Sequence, residues 1–194
     1  MINVAIFASG EGTNAENLIR HFATSKEVKI KIIVTNNPGA GVVKRAEQYK
    51  KNIQIVSKEA LSAYTDQLID FLRAEKTDLI VLAGFLLKIP EKIVRAFPRR
   101  IVNIHPALLP NYGGKGMYGL RVHEAVLQAG DKTSGVTAHY VDEEYDTGDP
   151  IVQALCRVAE GDTPESLARK IHELEYFYFP KAVEKAIENL KAHS

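Results

Sequence analysis

The first hundred residues alternate between short apolar runs and amphipathic stretches, and that alternation leaves few folds open. Val4–Phe7, Ile30–Thr35, Ile53–Val56, Leu79–Ala83 and Ile101–Ile104 read as strands. Segments with helical spacing stand between them, near Ala15–His21, Val42–Tyr49 and Pro90–Phe97. Leu61, Tyr64, Leu68 and Leu72 recur at intervals of three and four and mark one face of a further helix. Leu79–Ala83 is apolar throughout, as expected of a strand covered on both faces. Such alternation predicts right-handed crossovers and a mostly parallel sheet with helices on both faces.

The pattern changes after His105. A loop carrying Gly113, Gly114, Gly116 and Gly119 leads to a helix near Val122–Ala129, then to strands near Val136–Val141 and Ile151–Arg157. Thr163-Pro164 is a helix start, with the hydroxyl at the cap and proline in the first turn. Leu167, Ile171 and Leu174 form that helix's buried stripe; Pro180 is expected to kink or restart it before Val183, Ile187 and Leu190. The fold class read from this is α/β: a Rossmann-like open sheet, parallel in its N-terminal part, with antiparallel strands towards the C-terminus. A length of 194 residues suits one domain, 1–194, with a phosphate-binding half (1–100) and a catalytic half (101–194).

Composition removes several function classes. A net charge of +1 argues against a nucleic-acid footprint. Cys156 is the single cysteine, so no internal disulfide can form and a zinc cluster is not expected; no metal is assigned. No apolar stretch approaches the roughly 20 residues that span a bilayer. MINVAIFASG reads as a strand, not a signal peptide. The expectation is a cytoplasmic protein, monomer or homodimer, acting on small molecules without membrane or nucleic-acid partners.

Three stretches carry chemistry. Ser9-Gly10-Glu11-Gly12-Thr13-Asn14-Ala15 follows the first strand and opens a helix, where glycines and free N–H groups admit an anion. Gly10, Gly12 and Ala15 meet the dinucleotide spacing, but the second strand ends in Asn36-Asn37 where a ribose-binding acid would stand. A phosphate-monoester cradle, with Thr13 and Asn14 as donors, is therefore preferred to a plain strand-to-helix turn. In IVNIHPALLP, Asn103 and His105 lie two apart on a strand and face the same way at the carboxyl edge, where open sheets bind ligands. The alternative is a structural histidine. In DEEYDTGDP, Asp142, Glu143 and Glu144 read as a solvated hairpin tip, whereas Asp146 precedes a Thr-Gly turn and could aim into a cleft. Spacing does not separate it from Asp149. Among the other histidines, His21 and His193 are expected in solvent, His123 is read as an ordinary helix residue, and His139 stands behind the site. His172 is left open. Leu109-Pro110 is expected to be cis at the tight reversal.

Taken together, ASGEGTN, LAGF at Leu82–Phe85, NIHPALLP and EYDTGDPIVQ resemble the folate-dependent formyltransferases, most closely those acting on glycinamide ribonucleotide. The likeness runs through the whole chain in order. It implies transfer of a formyl group from 10-formyltetrahydrofolate to the amine of glycinamide ribonucleotide in purine synthesis. It further implies that Asn103, His105 and Asp146 are the catalytic trio, with a cationic imidazole and the amide aimed at the formyl oxygen. Gly12, Thr13 and Asn14 would hold the substrate phosphate, and Glu175 the ribose. Phe85, Leu86, Lys88, Ile89, Asn103, Val141, Asp142 and Tyr145 would line the folate pocket. Two departures stand out. Leu86-Leu87-Lys88-Ile89 replaces the Met-Arg-Ile that often follows AGF, and no arginine occupies Leu61-Ser62-Ala63, leaving loop backbone or Lys115 for the phosphate. Methionyl-tRNA formyltransferase and formyltetrahydrofolate hydrolase are set aside, since each is expected to carry a further domain that this chain lacks.

Overall fold

The computed structural model describes residues 1–192, so His193 lies outside the described part. Five strands run parallel: β1 (Ile2–Phe7), β2 (Val28–Thr35), β3 (Asn52–Ile55), β4 (Leu79–Leu82) and β5 (Ile101–His105). Two more, β6 (Thr133–Tyr140) and β7 (Pro150–Arg157), continue the sheet antiparallel. The order is β3-β2-β1-β4-β5-β6-β7. This is the mixed sheet expected from the alternation. Between β1 and β4 the winding reverses direction, which opens a crevice at the strands' carboxyl ends.

Alternation along β1 splits the core into two layers. Val4, Ile6 and Ala8 face one side, where α1 (Thr13–His21), α2 (Gly41–Gln48), α6 (Leu120–Gln128) and α7 (Pro164–Ala192) contribute Leu18, Val42, Val126 and Phe179. Ala5 and Phe7 face the other, against Leu61 of α3 (Lys58–Ala63), Leu72 of α4 (Thr65–Ala74) and Ile93 of α5 (Glu91–Ala96). Every helix thus buries its stripe on one face of a single sheet.

Two local expectations change. The helix anticipated through Leu61 and Tyr64 is broken at Tyr64, whose φ of −121° leaves the helical region and whose ring is 59% exposed. Thr65 takes the inward position instead, and its hydroxyl donates to the Leu61 carbonyl at 2.7 Å. By contrast, α7 runs unbroken through Pro180. Proline in a helix interior removes the bond to the carbonyl four residues back and costs about 3 kcal/mol. Here the orphaned Tyr176 carbonyl is recaptured by the Asn17 side-chain amide of α1, at 2.7 Å. Leu109-Pro110 is cis, as expected. Among the described residues no helix is long and apolar enough to cross a membrane.

Candidate active site

One cleft of about 1240 Å³ is lined by Asn14 at the head of α1, by the Gly84–Ile89 segment after β4, and by the end of β5. Asn103 and His105 project from β5 to the same side, and both line the cleft. The fourth wall is the loop between β6 and β7. Gly148 lets this loop fold tightly onto β6, since a Cβ there would sit 1.9 Å from the Tyr140 carbonyl oxygen. Asp146 adopts a left-handed backbone, φ 57°, which Asp tolerates better than most residues. The fold-back turns its carboxylate inward. Asp149 turns outward to Arg99, at 2.8 Å, and Glu143 to Arg95, also at 2.8 Å. Asp142 stitches the loop by accepting from the Glu144 N–H and the Thr147 hydroxyl. Spacing does not separate Asp146 from Asp149, and of the two it is Asp146 that lines the cleft.

The carboxylate of Asp146 lies 3.5 Å from His105 Nδ1, 3.5 Å from His139 Nε2 and 3.5 Å from Asn103 Nδ2. Gly114 N–H donates to it at 2.9 Å. Burial alone would raise the Asp146 pKa, but His139, His105 and that amide together hold it below the usual carboxylate range. His105 Nε2 donates to the Tyr112 carbonyl at 2.8 Å, so Nδ1 is the ring nitrogen facing Asp146. Burial pushes the His105 pKa below its ordinary value, against the opposing pull of the Asp146 charge and the Tyr112 carbonyl. Burial thus opposes the cationic ring that the resemblance implies, and the Asp146 charge supports it.

His139 orders the amide. Its Nδ1 donates to the Tyr140 carbonyl at 2.8 Å, and its Nε2 stands between Asn103 and Asp146. Asn103 Nδ2 lies 3.1 Å from that Nε2 and 3.5 Å from Asp146, beside the cleft.

The second arm of the cleft leads to the β1 turn. Asn14 Nδ2 donates to Glu175 Oε2 at 2.9 Å, and His172 Nδ1 meets the same oxygen at 3.3 Å. That carboxylate raises the His172 pKa. Asn14, Glu175, His172 and Lys115 line the cleft; Gly12 and Thr13 do not. Gly12 is buried, with φ 74°, beneath Val42. His123, read as an ordinary helix residue, is 4% exposed and lines the cleft with its pKa lowered by burial. Asn14 Oδ1 and His123 Nδ1 are buried along this arm with no protein partner among the described residues. Phe85, Leu86, Lys88, Ile89, Asn103, Val141, Asp142 and Tyr145 line the same cleft. Phe85 packs edge-on against Phe7 at 5.3 Å, and Lys88 lies 5.4 Å from the centre of the Tyr145 ring. Among the described residues no cluster of three or more His, Cys, Asp or Glu is placed to hold a metal ion.

The family profile described as formyl transferase matches residues 2–183. The chain belongs to the formyl transferase family. As a formyl transferase it is 41% identical over 183 residues to the chloroplastic phosphoribosylglycinamide formyltransferase of Arabidopsis thaliana, with 90% of this chain and 62% of that protein covered. The chain thus spans about three fifths of the plant relative's length. Against the phosphoribosylglycinamide formyltransferase of Bacillus subtilis it is 33% identical, covering 96% of this chain and 95% of that one. The crystal structure of the Bacillus halodurans phosphoribosylglycinamide formyltransferase superposes with a TM-score of 0.86 at 35% identity, covering 94% of each chain.

Within this formyl transferase, some site groups have no sequence signature. The Tyr112 carbonyl that holds His105 is backbone, and any residue could supply it. His139 did carry a signal, because it alternates with Thr137 on β6, and Asn103 pairs directly opposite it across the β5–β6 ladder.

Proposed function

We propose that this formyl transferase moves the formyl group of 10-formyltetrahydrofolate to the primary amine of glycinamide ribonucleotide, a step of purine synthesis. The observation that carries the reading is that Asn103 and His105 each stand 3.5 Å from Asp146, with all three lining one cleft. In this reading the phosphate meets the free amides at the head of α1, with Gly12, Thr13 and Asn14, and Glu175 receives the ribose. The folate lies against Phe85, Leu86, Lys88, Ile89, Val141, Asp142 and Tyr145. Residues 1–100 supply the phosphate turn and one folate wall, and residues 101–194 supply the catalytic groups and the other wall.

The amine attacks the formyl carbon, and the carbonyl oxygen becomes an oxyanion. The Asn103 amide, which reaches the cleft beside Asp146, turns an N–H to that charge and stabilises it as it develops. Attack makes the amine nitrogen cationic, and its proton must leave. The His105 Nδ1–Asp146 pair accepts it, because a neutral ring facing a carboxylate can hold one proton between them. The bond from the formyl carbon to folate N10 then breaks, N10 takes the proton, and the formamide product and tetrahydrofolate remain. One assay tests the reading. Loss of the formyl group is followed with glycinamide ribonucleotide, with formyl-acceptor tRNA, and with no acceptor. Turnover with the ribonucleotide alone supports the proposal, and turnover only with tRNA, or without acceptor, refutes it.

A further inference from the structure

We infer that Arg45 is a positioning residue for the anion-binding turn: it holds the Gly10–Gly12 backbone in its receiving shape from behind, without touching substrate. This rests on the functional reading above. The turn has little to hold it locally. Gly12 is the cap residue of α1, and no side chain caps that helix. Its restraints come from α2 instead. The Val42 N–H donates to the Gly10 carbonyl at 3.1 Å, and Arg45 Nε donates to the Glu11 carbonyl at 2.7 Å. In a trans peptide the carbonyl of one residue and the N–H of the next point in opposite directions. Drawing the Gly10 and Glu11 carbonyls towards α2 therefore turns the Glu11 and Gly12 N–H groups away from it. Those groups then stand with the free amides at the head of α1, where the functional reading places the phosphate.

Arg45 is itself fixed. Its guanidinium pairs with the Glu16 carboxylate in the first turn of α1, and the Tyr49 hydroxyl donates to the same carboxylate at 2.9 Å. Arg45 and Glu16 side chains are only 30% and 15% exposed. With its charge matched by Glu16, the guanidinium acts as a rigid fork on backbone rather than as a direct phosphate ligand. Lysine offers a point charge in place of that fork.

The test is steady-state kinetics on Arg45→Gln, Arg45→Lys and Tyr49→Phe, with melting temperatures measured alongside. For Arg45→Gln, KM for glycinamide ribonucleotide should rise about tenfold, the scale of a displaced positioning group. KM for 10-formyltetrahydrofolate and kcat at saturating ribonucleotide should stay within about twofold. Arg45→Lys should show a smaller rise of the same kind, and it carries the test if Arg45→Gln does not fold. Tyr49→Phe, which keeps the Arg45–Glu11 bond and the Arg45–Glu16 pair, should raise the ribonucleotide KM less than Arg45→Lys does. An unchanged ribonucleotide KM in both Arg45 variants overturns the inference, and so does an equal rise in both KM values with a lowered melting temperature. Failure of the parent to use the ribonucleotide would instead overturn the functional reading, and this inference with it.

Discussion

Asp146→Asn isolates the charge of the carboxylate from its shape. Asparagine tolerates the left-handed backbone at φ 57° as aspartate does, and its Oδ1 can still accept from the Gly114 N–H. Alanine would be a poorer probe, since a left-handed conformation costs such a residue roughly 1–2 kcal/mol. What asparagine removes is the negative charge 3.5 Å from His105 Nδ1. Two unit charges about 4 Å apart interact by roughly 4 kcal/mol at an effective dielectric near 20. That attraction exists only when His105 is protonated, so its loss falls on the proton-accepting step. Even half of it, about 2 kcal/mol, corresponds to a rate loss of roughly 30-fold, and the whole to nearly 1000-fold. A loss in kcat of about 100-fold is expected, with KM for either substrate little changed.

Asp149→Asn is the matched control. It breaks only the pair with Arg99, whose partners are 69% and 70% exposed, and such pairs contribute about 0–1 kcal/mol to stability and nothing to the cleft. Steady-state kinetics on both variants, with folding checked by circular dichroism, decides the matter. Near-parental turnover in Asp146→Asn, with a deep loss in Asp149→Asn, would refute the assignment of the catalytic acid and the electrostatic reasoning behind it.

Gly12→Val should raise the ribonucleotide Kd far more than the folate Kd, because a Cβ there lies 2.6 Å from the Val42 Cβ; equal losses by calorimetry would make the turn merely structural. Asn17→Ala should cost about 1 kcal/mol in denaturant unfolding, and clearly less in a Pro180→Ala background, where a restored N–H satisfies the Tyr176 carbonyl. An equal cost in both backgrounds would remove Asn17 from the account of the proline. His105 and His123 are both lowered from 6.5 by burial, so the unfolded chain binds protons that the folded chain refuses, and stability should fall as pH drops below about 6.5. His172, raised by Glu175, works in the opposite sense, its contribution being lost as pH rises. His123→Phe should flatten the acid side of the stability profile by at most about 1.4 kcal/mol per pH unit, and an unchanged slope would refute the assignment.

The parts of this site that were readable from sequence are those governed by a period. Asn103 and His105 sit two apart on a strand, so their common direction follows from the pleat, and the sheet's carboxyl edge follows from the strand–helix alternation. Asp146 has no such protection. Loop residues obey no period, and what turns Asp146 rather than Asp149 inward is the close approach of Gly148 to Tyr140, a contact between a loop and a strand. Arg45 is further from view. Its partners are a backbone carbonyl 34 positions away and a helix turn that only the fold brings near. The broken helix at Tyr64 failed as a reading for a different reason. Its spacing was right, but Thr65 offered a side-chain bond to the Leu61 carbonyl that spacing does not register.

The protonation of His105 is where the sequence argument and the folded environment pull against each other. A carboxylate beside an imidazole argues for a cation, and that attraction is present at 3.5 Å. Burial to 4% exposure opposes it and prevails in the free site. Neutrality suits the chemistry proposed. A cationic His105 would already carry the proton that the attacking amine must lose. A neutral ring with its Nε2 proton committed to Tyr112 keeps Nδ1 available, and Asp146, held ionised by its neighbours, stabilises the imidazolium once it forms. The same water-poor surroundings that discourage charge beforehand strengthen the attraction to Asp146 afterwards, because Coulomb energy grows as the effective dielectric falls. The stabilisation therefore concentrates on the state that follows attack, where differential binding lowers a barrier.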